Sequence, residues 1–293
     1  MSDVLATALT KRLGCRLPVI QTAMGWVAKP ELVAASSNAG AFGFLACAVM
    51  TPKEAGEEIA RLRDLTTHNF GINFHSFQPG AAEIVELILK HSDRVSAVSF
   101  GRGPDAKMIG RFRDAGILCI PTVGAVKHAE KMVQLGCEMV TIQGGEGGGH
   151  TGAVPTTVLL PQVLDAVDVP VVAAGGYGDG RGLASALAYG AAGIAMGTRF
   201  LMTAESPVPT APKAAYVKAG TGDIAVSTKV DGIPQRMILN PLLRRIEGSG
   251  RTAMWLRAIE AGHEQAMAVV DHARSQLGQP TGTGWMRVAK GSY

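Results

Sequence analysis

The apolar positions of this chain form short runs that alternate with longer segments of helical periodicity. From Pro18 onwards, eight apolar runs follow one another, separated by helical or turn segments. Continuous apolar runs are typical of parallel strands that are buried on both faces. An open doubly wound sheet usually has about five or six strands, whereas eight parallel strands close into a barrel. The pattern therefore predicts an α/β fold of the (β/α)8 TIM-barrel type.

The predicted elements follow in order along the chain. The strands are Pro18–Met24, Gly43–Val49, Phe70–Phe77, Val95–Phe100, Ile117–Val123, Met139–Gln143, Val169–Ala174 and Gly193–Gly197. The helices are Pro30–Asn38, Thr51–Leu65, Ala81–His91, Asp105–Ala115, Ala125–Leu135, Leu159–Ala166 and Arg181–Tyr189. Thr51 and Glu54 form a capping-box pattern at the start of the second helix. Glycines stand where left-handed helix ends are expected, at Gly40, Gly116, Gly136 and Gly190.

Beyond the eighth strand the pattern becomes less regular. We assign residues 1–206 to the barrel core and residues 207–293 to the last barrel helix, an appended helical layer and a C-terminal tail of the same domain. Lys213–Ala219 and Thr252–Ser275 have helical patterns, and Gly278–Tyr293 is rich in Gly and Thr. No stretch between these parts has the composition of a linker.

Composition narrows the class of protein. The hydrophobic fraction of 47% supplies an ample core, and no apolar run reaches the roughly 18 residues of a membrane span. The N-terminus does not resemble a secretory signal, so a cytoplasmic protein without a membrane partner is predicted. The net charge of +4 comes without a basic cluster, which disfavours nucleic acid and suits an anionic small ligand such as a phosphate, a carboxylate or coenzyme A. A homo-oligomer is compatible with this composition. The dispersed cysteines predict buried thiols rather than disulfides or a metal site: Cys15, Cys47, Cys119 and Cys137.

The most unusual stretch is Val140–Gly152, in which a strand-like run breaks into five glycines around one acid. Glycine allows positive φ angles and close approach of the backbone to a ligand, so the stretch predicts a surface that presents backbone N–H groups. Gln143 and His150 stand at its two rims. A histidine with an ordinary pKa of about 6.5 can act as a base near neutral pH, and we predict that His150 is catalytic rather than a simple surface residue.

Gly147–Gly152 also fits the G-x-G-x-x-G spacing of dinucleotide-binding turns. Val154-Pro155 follows in place of a helix, and the first strand of a Rossmann unit should not be the sixth of eight. The dinucleotide interpretation is therefore disfavoured. No pair of residues has the spacing of a metal motif such as H-E-x-x-H, and no metal is predicted.

In a barrel, functional groups lie at the carboxyl ends of the strands. The loops after strands seven and eight are the usual phosphate site, and Gly175-Gly176 and Gly197-Thr198 fit it; the alternative is that these glycines only permit tight turns. His75 at the end of strand three is a candidate substrate contact. Other groups at strand ends are Ala23, Met24, Gly25, Asn73, Gly101-Arg102-Gly103, Gly124, Ala174 and Met196.

These motifs together resemble the nitronate monooxygenase (2-nitropropane dioxygenase-like) family of FMN-dependent barrels. The resemblance is carried by Gln21–Met24, Asn73, Gln143–Gly152, Ala173–Gly176 and Ala195–Phe200. It implies an FMN whose phosphate contacts Gly175-Gly176 and Gly197-Thr198, with Met24 beside the ring and with Asn73 and Gln143 at its polar edge. It also implies His150 as the base. The implied cofactor-binding set is Ala23, Met24, Gly25, Asn73, Gln143, Gly148, Gly149, Ala174, Gly175, Gly176, Met196, Gly197 and Thr198.

Within that family, three stretches look like a bacterial subgroup that degrades steroid rings C and D through flavin-dependent α,β-dehydrogenation of a cyclic acyl-CoA. They are Gln21–Ala28, Gly144–Gly152 and Lys229–Arg236. The best-known nitronate oxidisers carry Ala-Pro-Met after strand one, whereas this chain has Thr22-Ala23-Met24. This departure argues against nitronate chemistry and leaves the flavin site intact.

Four functions therefore compete. An acyl-CoA α,β-dehydrogenase is favoured over a nitronate monooxygenase that passes electrons to oxygen, an NAD(P)H-dependent enoyl reductase and a non-catalytic flavin- or phosphate-binding barrel. Candidate partners for the phosphates of coenzyme A lie after the barrel, at Arg236, Arg244 and Arg245. A solvated helix face is the other explanation for each of these arginines.

Overall fold

The computed structural model describes residues 4–100, 106–230 and 232–248. The predicted helix Thr252–Ser275, the tail Gly278–Tyr293 and the loop Gly101–Gly103 lie outside the described residues. Within the described part, no helix is long and apolar enough to cross a membrane.

The barrel wall consists of short parallel strands. They are β1 (Val19–Gln21), β2 (Phe42–Ala46), β3 (Phe70–Phe74), β4 (Val95–Phe100), β5 (Leu118–Cys119), β6 (Thr122–Val123), β7 (Val140–Gln143), β9 (Val171–Ala174) and β10 (Gly193–Met196). The pairings run β5-β4-β3-β2-β1-β10-β9-β7-β6, so the first strand pairs directly with the last strand of the barrel.

The predicted fifth strand is split, because Pro121 has no backbone N–H to donate to a ladder. The N–H of Ile120 still donates to the carbonyl of Val98 on β4 at 2.8 Å, and the carbonyl of Pro121 accepts from Thr141 on β7 at 2.9 Å. β5 and β6 therefore form one barrel strand that faces β4 with its first half and β7 with its second. The eight-stranded barrel closes as predicted.

The helices lie close to their predicted positions. They are α1 (Ala8–Leu13), α2 (Pro30–Asn38), α3 (Pro52–Leu65), α4 (Ala81–Lys90), α5 (Ala106–Asp114), α6 (Val126–Gln134), α7 (Thr156–Ala166), α8 (Gly180–Tyr189), α9 (Thr198–Leu201), α10 (Thr210–Lys218) and α11 (Pro241–Glu247). The capping box at Thr51 and Glu54 is present. Gly40, Gly116, Gly136 and Gly190 all have positive φ, as expected for helix ends.

The core forms inside the barrel and between the barrel and its helices. Helix α1, which the pattern did not predict, packs Leu9 and Leu13 against interior strand residues such as Ile20 and Val172. A second cluster joins β3 and β4 to the outer helices, with Phe74 at 6.2 Å from Phe100 in edge-to-face contact. The apolar runs of the sequence are therefore buried on both faces.

Three strands, β1, β2 and β3, end three residues earlier than predicted. β1 ends at Gln21. β2 ends at Ala46, and Cys47–Val49 form a 3-10 turn. β3 ends at Phe74, because the N–H of His75 donates to the side chain of Gln78 at 2.8 Å rather than continuing along the strand. His75 is thereby placed in a tight turn at the carboxyl end of the barrel.

The segment after the barrel is not only helical. Besides α10 and α11 it contains β11 (Ile224–Ser227) and β12 (Gln235–Ile238), which pair antiparallel. β12 also pairs with β8 (Gly149–His150), so a small three-stranded sheet includes the end of the glycine loop. The helical periodicity used for the prediction could not reveal this hairpin.

Candidate active site

The glycine loop between β7 and α7 is held at its centre by Glu146. The carboxylate accepts hydrogen bonds from the N–H of Thr156 at 2.9 Å and from its hydroxyl at 2.7 Å, at the first residue of α7. Burial alone would raise the pKa of Glu146, but these hydrogen bonds and the nearby Arg236 outweigh it and hold that pKa below its ordinary value. A carboxylate at a helix N-terminus is also favoured by the helix dipole.

Two glycines of this region are needed for close packing. A Cβ on Gly144 would lie 2.0 Å from the Thr156 hydroxyl and 2.5 Å from the Thr156 backbone. A Cβ on Gly175 would lie 3.0 Å from the same hydroxyl, and Gly175 has a φ of 101°. Part of the glycine content therefore serves to bring the loops after β7 and β9 together around Thr156.

The far end of the glycine loop is held by the hairpin that follows the barrel. Gln235 pairs with His150, and Arg236 pairs with Gly149. The Arg236 Nε donates to the carbonyl of Gly145 at 2.9 Å, and the N–H of Thr151 donates to the carbonyl of Pro234 at 2.9 Å. The loop is thus fixed on one side by α7 and on the other by β12.

His150 lies at the exposed rim of this assembly. Its Nε2 is 3.0 Å from the side-chain Nε2 of Gln235, and its carbonyl accepts a hydrogen bond from Gln143 at 2.6 Å. The Gln143 amide therefore supports the loop from below, where a Cβ on Gly147 would come within 2.6 Å of it.

His75 faces the same rim from the end of β3. Burial lowers its pKa, and the neighbouring His150 lowers it further, so the neutral imidazole is favoured. Its Nδ1 is buried without a hydrogen-bond partner in the described part of the chain. The ring stacks on Phe77 with 5.0 Å between centroids and 8° between planes, and Phe77 itself is 60% exposed.

The remaining predicted cofactor groups gather beside the glycine loop. A Cβ on Gly148 would lie 3.6 Å from the Thr198 hydroxyl, and one on Gly197 would lie 3.5 Å from the sulfur of Met24. Gly176, with a φ of 81°, lies against Glu146. Ala23 and Gly25 flank Met24, and Ala174 and Met196 are the last residues of β9 and β10.

This arrangement fits a phosphorylated flavin in three respects. Thr198 is the first residue of α9, so its backbone N–H has no acceptor within the helix. Its side-chain hydroxyl is a second donor at the same position. Among the described residues, nothing lies within 4 Å of a Cβ built on Gly149, so the space above the loop is open. Asn73, half-buried at the end of β3, donates to the carbonyl of Ser99 at 3.1 Å and keeps its carbonyl oxygen for another partner.

The three arginines differ in position. Arg236 lies against the glycine loop. Arg244 on α11 is 3.5 Å from Asp223 in an exposed ion pair. Arg245 lies on the same helix. Of these candidates for coenzyme A phosphates, Arg236 contacts the loop directly.

Three residues of the site were missed by the sequence reasoning. In the sequence, Glu146 stands out only as an acid among glycines, and Thr156 lies outside the predicted helix Leu159–Ala166. Gln235 belongs to the stretch Lys229–Arg236, which resembles the family without indicating a role for this residue. The sequence did carry a signal for Thr156, because Pro155 directly precedes it and proline is common at the start of a helix. No local signal identifies Gln235.

A (β/α)8 barrel with a histidine and glycine-rich turns at the carboxyl ends of its strands is the arrangement of a barrel enzyme. The family model for nitronate monooxygenases matches residues 6–290. The chain belongs to the nitronate monooxygenase family and is an oxidoreductase of this flavin-dependent family.

Two curated relatives carry the same name, (3aS,4S,5R,7aS)-5-hydroxy-7a-methyl-1-oxo-octahydro-1H-indene-4-carboxyl-CoA dehydrogenase. The relative from Rhodococcus jostii is 51% identical over 85% of this chain and 70% of its own length. The relative from Mycobacterium tuberculosis is 47% identical over 87% of this chain and 72% of its own length. Among solved structures, FabK from Thermotoga maritima superimposes with a TM-score of 0.80 at 34% identity, covering 92% of this chain and 84% of that one.

Proposed function

We propose that this chain is an FMN-dependent dehydrogenase that removes hydrogen across the α,β bond of a cyclic, steroid-derived acyl-CoA. The observation that carries the proposal is that His150 and His75 stand at the same rim of the glycine loop, and that burial favours the neutral form of His75. The names of the two curated relatives support this substrate class, since both refer to a bicyclic carboxyl-CoA.

The chemistry of each predicted cofactor-binding residue suits a particular part of FMN. Gly175, Gly176, Gly197 and Thr198 offer backbone N–H groups and a hydroxyl for the FMN phosphate. Met24 offers an apolar, polarisable contact for the ring. The free carbonyl oxygen of Asn73 and the amide of Gln143 suit its polar edge. Bound FMN would accept the hydride from the β-carbon of the thioester.

His150 would take the proton from the α-carbon, because it is exposed at the rim and belongs to a loop that is fixed at both ends. The resulting negative charge on the thioester oxygen needs a hydrogen-bond donor. The N–H groups of Gly145 and Gly147 are not available, since they donate to Val154 at 2.8 Å and to Gly144 at 3.0 Å. The prediction that this stretch presents its backbone N–H groups therefore does not hold for these two residues.

Gly148 and His75 remain as candidates for that role. His75 suits it because burial favours its neutral form, in which one ring nitrogen carries a proton to donate. With Nδ1 buried and unpartnered, the Nε2–H tautomer would present this donor to the open side. Loss of one such donor typically costs about 2.7–4 kcal/mol of transition-state stabilisation.

The rim also suits a fused-ring substrate. Phe77 is 60% exposed and Trp26 is 52% exposed, in the loops after β3 and β1 respectively. Exposed aromatic side chains at a site provide flat apolar surface for a hydrocarbon ring system. Arg236 beside the loop could contact a phosphate of coenzyme A through the guanidinium nitrogens other than Nε.

Nitronate oxidation is the second candidate, and the family name supports it. The same base and cofactor would serve, because a nitro group also acidifies the neighbouring C–H bond. The absence of proline at Ala23 argues against it. An NAD(P)H-dependent enoyl reductase remains the third.

Anaerobic mixing of the FMN-loaded protein with three reagents separates these candidates. We expect a bicyclic acyl-CoA of the class named for the relatives to bleach the flavin absorbance within seconds. An alkyl nitronate and NADH, tested at the same concentration, should bleach it far more slowly. Faster bleaching by nitronate or by NADH would replace the proposed function with the second or the third candidate.

We propose further that the protein acts in the cytoplasm on a small molecule without a nucleic-acid partner. The four unpaired cysteines support a reducing compartment. The homo-oligomer remains a prediction, which light scattering of the purified holoenzyme tests.

A further inference from the structure

The strand β12 carries one side chain directly to the ring of His150. In the antiparallel register of β12 and β8, Gln235 stands opposite His150. Its amide Nε2 is 3.0 Å from the imidazole Nε2, within hydrogen-bond distance. Gln235 is 85 residues away from His150 along the chain, so the contact depends on the docking of the whole post-barrel hairpin.

We propose that Gln235 is a positioning residue that orients the His150 ring and pairs with its Nε2 through the proton transfer. The proposal rests on the proposed function in one respect only, namely that His150 is the base. It assigns the hairpin after the barrel a part in catalysis, in addition to covering the barrel.

The chemistry of a primary amide suits this position. A neutral imidazole has one lone pair, which a base must keep free for the incoming proton. With its amide turned so that the carbonyl oxygen faces the ring, Gln235 accepts from Nε2–H and leaves the lone pair on Nδ1 to take the α-proton. The same hydrogen bond persists after proton uptake, when both ring nitrogens carry a proton. A glutamine can therefore pair with both protonation states, whereas a carboxylate would favour the protonated ring and an alkyl group would pair with neither.

The contact is braced on both sides. The next residue, Arg236, donates to the carbonyl of Gly145, and Thr151 donates to the carbonyl of Pro234. From the barrel side, Gln143 donates to the backbone carbonyl of His150 at 2.6 Å. The backbone of His150 is thus fixed by β7 and β12, and Gln235 restricts the remaining freedom of the ring.

Three charged or titratable groups belong to the elements around His150. His75 approaches from the turn after β3 and is favoured in its neutral form. Arg236 on β12 is directed to the Gly145 carbonyl, and Glu146 of the glycine loop is engaged by Thr156. Gln235 lies within hydrogen-bond distance of the His150 ring, at 3.0 Å, so its replacement acts directly on that ring.

The test uses the FMN-loaded protein with Gln235→Leu and Gln235→Glu. Val226→Thr serves as the matched control, because Val226 pairs with Arg236 on the neighbouring strand of the same hairpin and is itself 46% exposed. The first readout is the pair of ring ¹⁵N signals of His150 across a pH titration, which report the tautomer and the protonation without any turnover. The second is the pH profile of flavin bleaching by the acyl-CoA under anaerobic conditions.

We expect Gln235→Glu to shift the protonation of His150, and with it the acid limb of the rate profile, to higher pH by about one unit or more. Gln235→Leu should give mixed tautomers and slow bleaching by about tenfold to a hundredfold, as misorientation of a reacting group does. FMN affinity and thermal stability should remain as in Val226→Thr. If the substitutions only loosened the hairpin, both variants would bleach the flavin more slowly, but Gln235→Glu would not shift the rate profile to higher pH.

Failure of this inference is distinguishable from failure of the proposed function. If His150 has the same ¹⁵N signals and titration in all four proteins, Gln235 does not position the ring, whatever the substrate. If only nitronate bleaches the flavin, the substrate class is wrong, and the Gln235 variants are then measured with nitronate. An unshifted profile in that measurement would also overturn the inference.

Discussion

Replacement of Gly144 by alanine probes the packing that shapes the whole glycine loop. The added Cβ would lie 2.5 Å from the Cα and N of Thr156, about 0.9 Å inside the 3.4 Å at which ordinary contact begins. The obstacle is backbone at the start of α7, so it cannot be relieved by rotation of a side chain. Overpacking of this kind typically costs about 1–3 kcal/mol. Any shift of α7 would also disturb the hydrogen bonds from Thr156 to Glu146.

Gly110→Ala is the matched control. Gly110 lies within α5, and among the described residues nothing lies within 4 Å of a Cβ built there. Alanine in a helix interior is favoured over glycine by roughly 0.5–1 kcal/mol, so this variant should be slightly more stable than the parent protein.

Urea unfolding of the three proteins, with and without added FMN, measures both effects. Gly144→Ala should lower the free energy of unfolding by about 1–3 kcal/mol and weaken FMN binding, so that the added cofactor restores less stability than in the parent. Gly110→Ala should keep full FMN binding. A Gly144→Ala protein with parental stability and parental FMN affinity would refute the packing described for this loop.

Three further predictions concern titratable groups. Hydrogen bonds from Thr156 outweigh burial and lower the pKa of Glu146. The carboxylate therefore stabilises the fold above its unfolded pKa near 4.5, and this stabilisation is lost as the pH falls through the lower folded pKa. In acid unfolding curves, Glu146→Gln should lose less stability over this range than the parent protein. Burial, and to a smaller extent His150, lowers the pKa of His75 below its ordinary 6.5, so the folded state should lose stability as the pH falls below that value. Between about pH 7.5 and 5.5, the free energy of unfolding should fall less in His75→Phe than in the parent protein. Burial raises the thiol pKa values to about 11 for Cys15 and to about 12 for Cys47 and Cys137, and it raises that of Cys119 as well, so iodoacetamide should label the native protein far more slowly than the urea-unfolded protein at about pH 8.

The barrel could be predicted from the sequence because its physics is local. Apolar runs of strand length and helical periodicity repeat eight times, and the capping box at Thr51 marks a helix start to within one residue. The split of the fifth strand at Pro121 also follows from a local rule, namely the missing N–H of proline. Element ends were less predictable, since the end of β3 depends on a side chain of Gln78 that replaces a ladder hydrogen bond.

The candidate site was predictable only in part. The strand-end rule for barrels brought Met24, Gly148, Gly197 and Thr198 to one region. The hairpin contact between Gln235 and His150 could not be predicted, because it joins residues far apart in the chain through a sheet with no alternating pattern of its own. The engagement of Glu146 by Thr156 likewise depends on how two loops fold against each other.

In the proposed function, His150 would remove the α-proton, and bound FMN would supply the hydride acceptor. The most direct test is the rate at which the bicyclic acyl-CoA bleaches the flavin under anaerobic conditions, in the parent protein and in His150→Ala, with the same amount of FMN bound to each. Loss of a general base should slow bleaching by about a hundredfold to ten-thousandfold. Bleaching by the acyl-CoA at the parental rate in His150→Ala would contradict the account.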